Sequence, residues 1–251
     1  MKKIFPLVCI ALLCFSCKKS NNNSNSIYSL PNAYSNQSAG ASSKDLLRDT
    51  TYTGLNVEIQ YMPGYQPDSQ MITNAVNFLN TFCNKPNGIN LKFELIPSQS
   101  KTSMSMNDVM LLEKQSRNYY TNFKNIWIYV LITDGYSDSA GALGMAYRNT
   151  SICLFGKEIY NNSGNYGQGD LTTAETAILN HELGHLLGLV NLGSPMQVNH
   201  LDATHAGHCN NPKCLMYYNI ENVGMFGTLT NGNPPQLDPN CMNDLIANGA
   251  K

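Results

Sequence analysis

Apolar positions along the chain recur at two spacings, and these predict its elements. Residues 55–62 (LNVEIQYM) place apolar side chains at every second position and read as a strand. Residues 69–83 carry Ile72, Val76, Leu79 and Phe82 or Cys83 at helical spacing. A second strand is expected at 89–97 (INLKFELIP) and a second helix at 107–120. Residues 126–134 (IWIYVLITD) are almost continuously apolar, the pattern of a central strand buried on both faces. Residues 142–156 read as two short strands. Thr172 with Glu175 three positions on forms a capping box, which predicts a helix from about Thr173 to Gly188. Asp238 followed by Pro239 is an N-cap with proline at the first helical position, opening a last helix over 239–249. The fold class expected is α+β.

The first fifty residues follow neither spacing. Lys2 and Lys3 precede an apolar run from Ile4 to Phe15. That run is shorter than the roughly 20 residues needed to cross a bilayer. It fits an export signal over 1–16. Ser16-Cys17 is similar to a bacterial lipobox, in which Cys17 becomes a lipidated first residue and anchors the protein to a membrane of the cell envelope. Leu13 stands one step off the position where that pattern has leucine. Residues 17–50 are rich in Ser and Asn and are expected to be a flexible tether. A single domain is then expected over 51–251. That length is sufficient for one substantial core.

Composition narrows the function. The net charge is −1, without a basic patch, which argues against nucleic acid as a partner. Charged residues are 13% of the chain against about 25% in typical domains, so the surface is polar but mostly uncharged. Five cysteines lie beyond Cys17, in a compartment that permits disulfides. The closest pair, Cys209 and Cys214, is the expected bridge; Cys83, Cys153 and Cys241 are left unassigned, and an odd count leaves at least one free.

The chemistry is concentrated in one place. All five histidines fall between His181 and His208, a window of 28 residues. His181, Glu182 and His185 form H-E-x-x-H on the expected helix. Residues four apart share a helix face, so both imidazoles can reach one zinc ion, with the Glu182 carboxylate beside it as a general base. In the longer pattern H-E-x-x-H-x-x-G-x-x-H, Gly188 is present but the third histidine is replaced by Asn191, a poor zinc ligand. On the residues alone the third ligand stays open among His208, His205, His200, Asp202 and Asn191.

His208-Cys209, then four residues, Cys214, one residue and Met216 resemble the second half of the metzincin signature, most closely that of the archaemetzincins. Residues 189–207 stand where that signature has two residues, an insertion of 17. The chain is also similar to exported lipoprotein metalloproteases of the Bacteroidetes type. The resemblance covers about 174–218 and the lipobox. It implies a metzincin-like protease fold with a mixed twisted sheet, an active-site helix, a Met-turn at Met216 and a C-terminal helix. It implies His208 as the displaced third zinc ligand and Tyr218, two after Met216, as a group that stabilises the transition state. Archaemetzincins hold a second zinc on four cysteines; Cys241 here has no C-x-x-C partner.

The activity expected is zinc-dependent endopeptidase, with Glu182 taking a proton from water and passing it to the leaving amine. A peptide or protein substrate would lie extended on a strand within 141–148. The alternative is a tethered binding or scaffold lipoprotein whose zinc is structural and fully enclosed by protein ligands. A third possibility places a distant glutamate such as Glu221 on the zinc. No cysteine-switch segment is present in 18–50.

Overall fold

The computed structural model describes residues 27–163, 168–227, 229 and 233–251. The expected export signal, Cys17 and the start of the tether lie outside the described residues. From Ile27 onward the supposed tether is packed on the body. A short 3-10 turn at Ala33–Asn36 leads to α1 (Ser43–Leu47), whose Leu46 and Leu47 are fully buried in the main core. Its polar residues, which suggested disorder, are held by specific bonds. Asn149 Nδ2 donates to Tyr34 O (2.8 Å) and Ser42 Oγ (2.7 Å), and Arg148 Nη2 donates to Tyr28 O (2.6 Å). The Lys85 ammonium binds the carbonyls of Asp45, Arg48 and Tyr52.

Next come β1 (Gly54–Tyr61), α2 (Ser69–Phe82), β2 (Ile89–Leu95), β3 (Ser103–Met104), α3 (Met106–Ser116), β4 (Asn125–Thr133), β5 (Tyr136–Ser137), β6 (Gly144–Arg148) and β7 (Ser151–Phe155). They are followed by α4 (Gly156–Ser163), α5 (Gln168–Leu186) and α6 (Pro239–Asn248). Five strands form one mixed sheet in the order β2-β1-β4-β7-β6, all parallel except the antiparallel edge strand β6. β3 and β5 pair separately. Strands joined through helices make this a mixed α/β architecture rather than a segregated α+β one.

β4 shows why the apolar run is central. Ile126, Ile128, Val130 and Ile132 face the main core beneath α2 and α5, while Tyr129 and Leu131 join the smaller core beneath α3. The caps follow the sequence in three places. Asp68 accepts from Gln70 N and Met71 N at α2, Ser105 and Asp108 form a reciprocal box at α3, and Asp238 accepts from Cys241 N at α6. At α5 the expectation fails. The helix begins at Gln168, before the supposed cap at Thr172, and ends at Leu186, so Thr172 and Glu175 are interior. Gly188, at φ +81°, turns the chain away just after its end. A residue with a Cβ there would press on Ser194 N and Ser43 Cβ.

The failed cap has a measurable consequence. Glu175 Oε2 is buried with no hydrogen-bond partner, and burial, reinforced by Asp68, raises its carboxyl to about 7. A carboxyl raised on folding favours the folded state below its unfolded pKa and loses that advantage as pH climbs through the folded value. Thermal stability is therefore expected to fall between about pH 4.5 and 7, and Glu175→Gln to flatten this dependence and stabilise the protein at pH 8 by on the order of 1–2 kcal/mol. Parallel melting curves of the two proteins across that range would disprove it.

Candidate metal centre

α5 is apolar on nearly every side. Ala174, Ala177, Ile178, Leu179, Leu183 and Leu186 are all buried, which makes it a central helix held between the sheet and α2. His181 and His185, one turn apart, are carried into this interior, their Nε2 atoms 3.1 Å apart. His181 Nδ1 donates to Leu215 O at 2.7 Å, which leaves its Nε2 lone pair free. Burial lowers the His181 pKa to about 4 and holds that of His185 well below its usual value, so both rings are neutral at ordinary pH.

The inserted segment brings His208 to them. Leaving α5, the chain turns through Gly188, Val190 and Asn191, all at positive φ, then runs out and returns as a hairpin. Leu201 bridges Cys209, Asp202 N donates to His208 O (2.8 Å) and Asn210 N donates to His200 O (2.9 Å). On the return strand the His208 ring stands 5.3 Å from that of His181 and 5.1 Å from that of His185. Glu221, at the end of a 3-10 turn (Tyr218–Glu221), completes the group. Its carboxylate oxygens lie 3.5 Å from His208 Nε2 and 3.8 Å from His181 Nε2. Burial opposes the Glu221 charge, but His208 and His181 outweigh it and hold the carboxyl below its usual range.

Four donor atoms, one each from His181, His185, His208 and Glu221, all lie within 4.8 Å of one another. Zinc–nitrogen bonds of about 2.0–2.1 Å in a tetrahedron put ligand atoms about 3.3–3.4 Å apart, so these spacings suit one ion. Glu182 points the same way. Both its oxygens are buried with no side-chain partner among the described residues, and burial, with the nearby Glu221 charge, pushes its carboxyl well above the usual range against the opposing pull of the Ala146 amide. An unpaired buried carboxylate is costly, and a neighbouring cation would offset that cost.

The other expected residues are placed elsewhere. Asn191 is exposed at the turn. Asp202 and His205 pair with each other at 3.0 Å near the hairpin tip, and the His205 ring stacks on Tyr218 with centroids 3.5 Å apart. Tyr218 thus meets the hairpin. Met216 is fully buried against α5, and a Cβ on Gly184, between the two helical histidines, would collide with its Sδ. β6, within the segment expected to carry substrate, crosses directly over Glu182: a Cβ on Gly144 would stand 2.9 Å from Glu182 Oε1 and 2.7 Å from Ile178 Cγ2. A groove of about 750 Å³ lies on another flank of α5 among Asn74, Phe78, Thr176 and Asn180. The metal-ligand geometry identifies this site, and groove size does not.

No protein-family model matches the sequence, and no curated protein matches it. Among solved structures, archaemetzincin from Methanopyrus kandleri superposes with a TM-score of 0.52 at 14% identity, over 78% of this chain and 96% of that one. The two chains share a fold. Metalloproteinase-II from Bacteroides fragilis aligns with a TM-score of 0.41 at 16% identity, over 87% of this chain and 58% of its own length.

A second group of donors lies behind the first. The expected Cys209–Cys214 disulfide is absent: all five cysteines among the described residues are free and buried. Cys209, Cys214 and Cys241 instead converge with His200. His200 Nδ1 is 3.3 Å from Cys209 Sγ and 3.9 Å from Cys241 Sγ, and Cys214 Sγ is 3.6 Å from Cys241 Sγ. Asp238 Oδ2 lies 3.4 Å from Cys209 Sγ. The thiols of Cys209 and Cys241, helped by the Met216 and Asp238 amides at 3.4 Å, hold Cys214 down at about 4, a thiolate. His200 Nε2 meets Asp244 Oδ2 at 2.8 Å, the carboxylate–imidazole pairing that orients a metal-binding histidine. His200, Cys209, Asp238 and Cys241 offer donor atoms that all lie within 4.8 Å of one another, with Cys214 Sγ bordering them, and thiolate, imidazole and carboxylate are all zinc donors. Cys83 and Cys153 stand apart from it in the cores, and burial pushes the Cys83 thiol up to about 12.

Proposed function

We propose that the protein is a zinc-dependent endopeptidase. The observation that carries this reading is Glu182, a fully buried carboxylate with no ion-pair partner among the described residues, beside three converging imidazoles and with a sheet edge crossing over it. His181, His185 and His208 would hold the ion, and Met216 and the Leu215 carbonyl support the helical pair from below. Zinc in such a site supplies Lewis acidity, lowering the pKa of water toward about 7 and polarising the scissile carbonyl. Glu182 accepts a proton from the attacking water and delivers it to the leaving amine. An extended peptide would add to the open edge of β6, placing its backbone over Glu182. The archaemetzincin fold and the metzincin-like spacing of His208, Cys214 and Met216 support the reading.

His200, Cys209 and Cys241, with Asp238 or the neighbouring Cys214 as fourth donor, would hold a second, structural zinc. An export signal over residues 1–16 and lipid on Cys17 would keep the enzyme at the bacterial cell envelope. The alternative, a binding protein with an enclosed structural zinc, draws on Glu221 as a fourth donor. Against it stands Glu182, whose buried charge serves no purpose in a closed structural site.

Elemental analysis tests the reading. Wild type is expected to carry two zinc ions per chain and His208→Ala one, with chelator-sensitive peptide hydrolysis in the wild type alone. Equal zinc in both proteins would remove His208 from the site.

A further inference from the structure

Resting on the peptidase reading, we propose that Glu221 is a fourth protein ligand of the ion held by His181, His185 and His208, and that substrate engages the ion only after this carboxylate has swung away. Three observations lead here. The carboxylate already stands among the imidazoles, its oxygens 3.5 Å from His208 Nε2 and 3.8 Å from His181 Nε2. Its backbone is fixed to the proposed substrate strand: Glu221 O accepts from Leu143 N at 2.8 Å, and Asn222 bridges Ala142 in antiparallel fashion. The chain thus pairs with the lead-in to β6, where an extended peptide would otherwise continue, and presents an oxygen to the metal site from that place. Finally, its side chain is 29% exposed while His181 is fully buried and His208 is 10% exposed. Glu221 is the donor that can leave by rotating its side chain into solvent, without unpacking the core.

Three histidines and one carboxylate fill a tetrahedral ion. A protein with this set rests closed, and substrate binding includes the displacement of one weak, exposed ligand. The carboxylate that leaves is still tethered beside β6, ready to return when product departs.

The experiment uses zinc-loaded wild type, Glu221→Gln, Glu221→Ala and His181→Ala, with acetohydroxamate as a small chelating probe measured by calorimetry. Glutamine keeps the size of the side chain, so a folding defect confined to the alanine variant does not confuse the result. His181→Ala is expected to lose one zinc, which counts the site. Acetohydroxamate is expected to bind Glu221→Gln at least about tenfold more tightly than wild type, since it no longer competes with a carboxylate, and zinc to be lost to a chelator about tenfold more readily. Equal acetohydroxamate affinity in wild type and both Glu221 variants, with the His181-dependent zinc present, would overturn Glu221 as a ligand and leave the peptidase reading standing. A His181→Ala protein that keeps all its zinc would overturn both.

Discussion

Glu182→Gln is expected to lower kcat/KM for peptide hydrolysis by about 10³-fold, inside the 10²–10⁴-fold range that general acid–base catalysis contributes, while zinc content and fold are retained. The substitution is nearly isosteric, falls at a fully buried position, and leaves glutamine an amide oxygen that can face the Ala146 amide as the carboxylate does. What it removes is a proton acceptor beside the imidazole cluster. The paired measurement of zinc and turnover separates this from a metal defect. Activity within about tenfold of wild type would sink the assignment of Glu182 as the base. The search would then move to Glu221, the other carboxylate facing the histidines.

Residues that are neighbours in sequence were the legible ones. His181, Glu182 and His185 needed only helix periodicity, and Asp238-Pro239 announced α6 by a local rule. β1, β4 and the β6–β7 pair followed from apolar spacing. His208 needed a resemblance, because 22 residues and a hairpin separate it from His185. Glu221 was visible only as one distant glutamate among several; nothing local marks it, since its place is set by pairing with Leu143. Residues 27–50 misled through composition: Ser and Asn suggested a tether, but Leu46 and Leu47 anchor the segment, and the amide of Asn149, about a hundred residues away, donates to Tyr34 O and Ser42 Oγ. The capping box failed for a different reason, since α5 starts before Thr172. Cysteine spacing misled most. The nearest pair in sequence suggested a bridge, whereas the cluster also takes Cys241, 27 residues beyond Cys214, and His200 from the insertion.

That cluster gives the second large expected effect, because it shares its frame with the histidine site. His208 and Cys209 are adjacent residues serving one group each. Cys214 carries a thiol of the rear cluster, Leu215 supplies the carbonyl that orients His181, and Met216 lies under α5 at Gly184. Cys209 N donates to Met216 O at 2.8 Å, tying the two strands together between the sites. Cys241→Ser is therefore expected to lose one zinc and to lower Tm by roughly 8–16 °C, the equivalent of about 4 kcal/mol of metal-coupled folding energy in a domain of this size. Because losing the rear ion loosens the Leu215 carbonyl and the His208 strand, zinc affinity at the histidine site is expected to fall about 10–100-fold as well, the usual cost of losing an outer-shell partner. Titration with a competing chelator reads that second effect separately from the melt. A variant that loses one zinc and melts early, yet binds the other as tightly as wild type, would show that the two groups are neighbours without being coupled. A variant with unchanged zinc and Tm would mean that the three thiols and His200 hold no ion, and that the rear cluster is a packed set of cysteines.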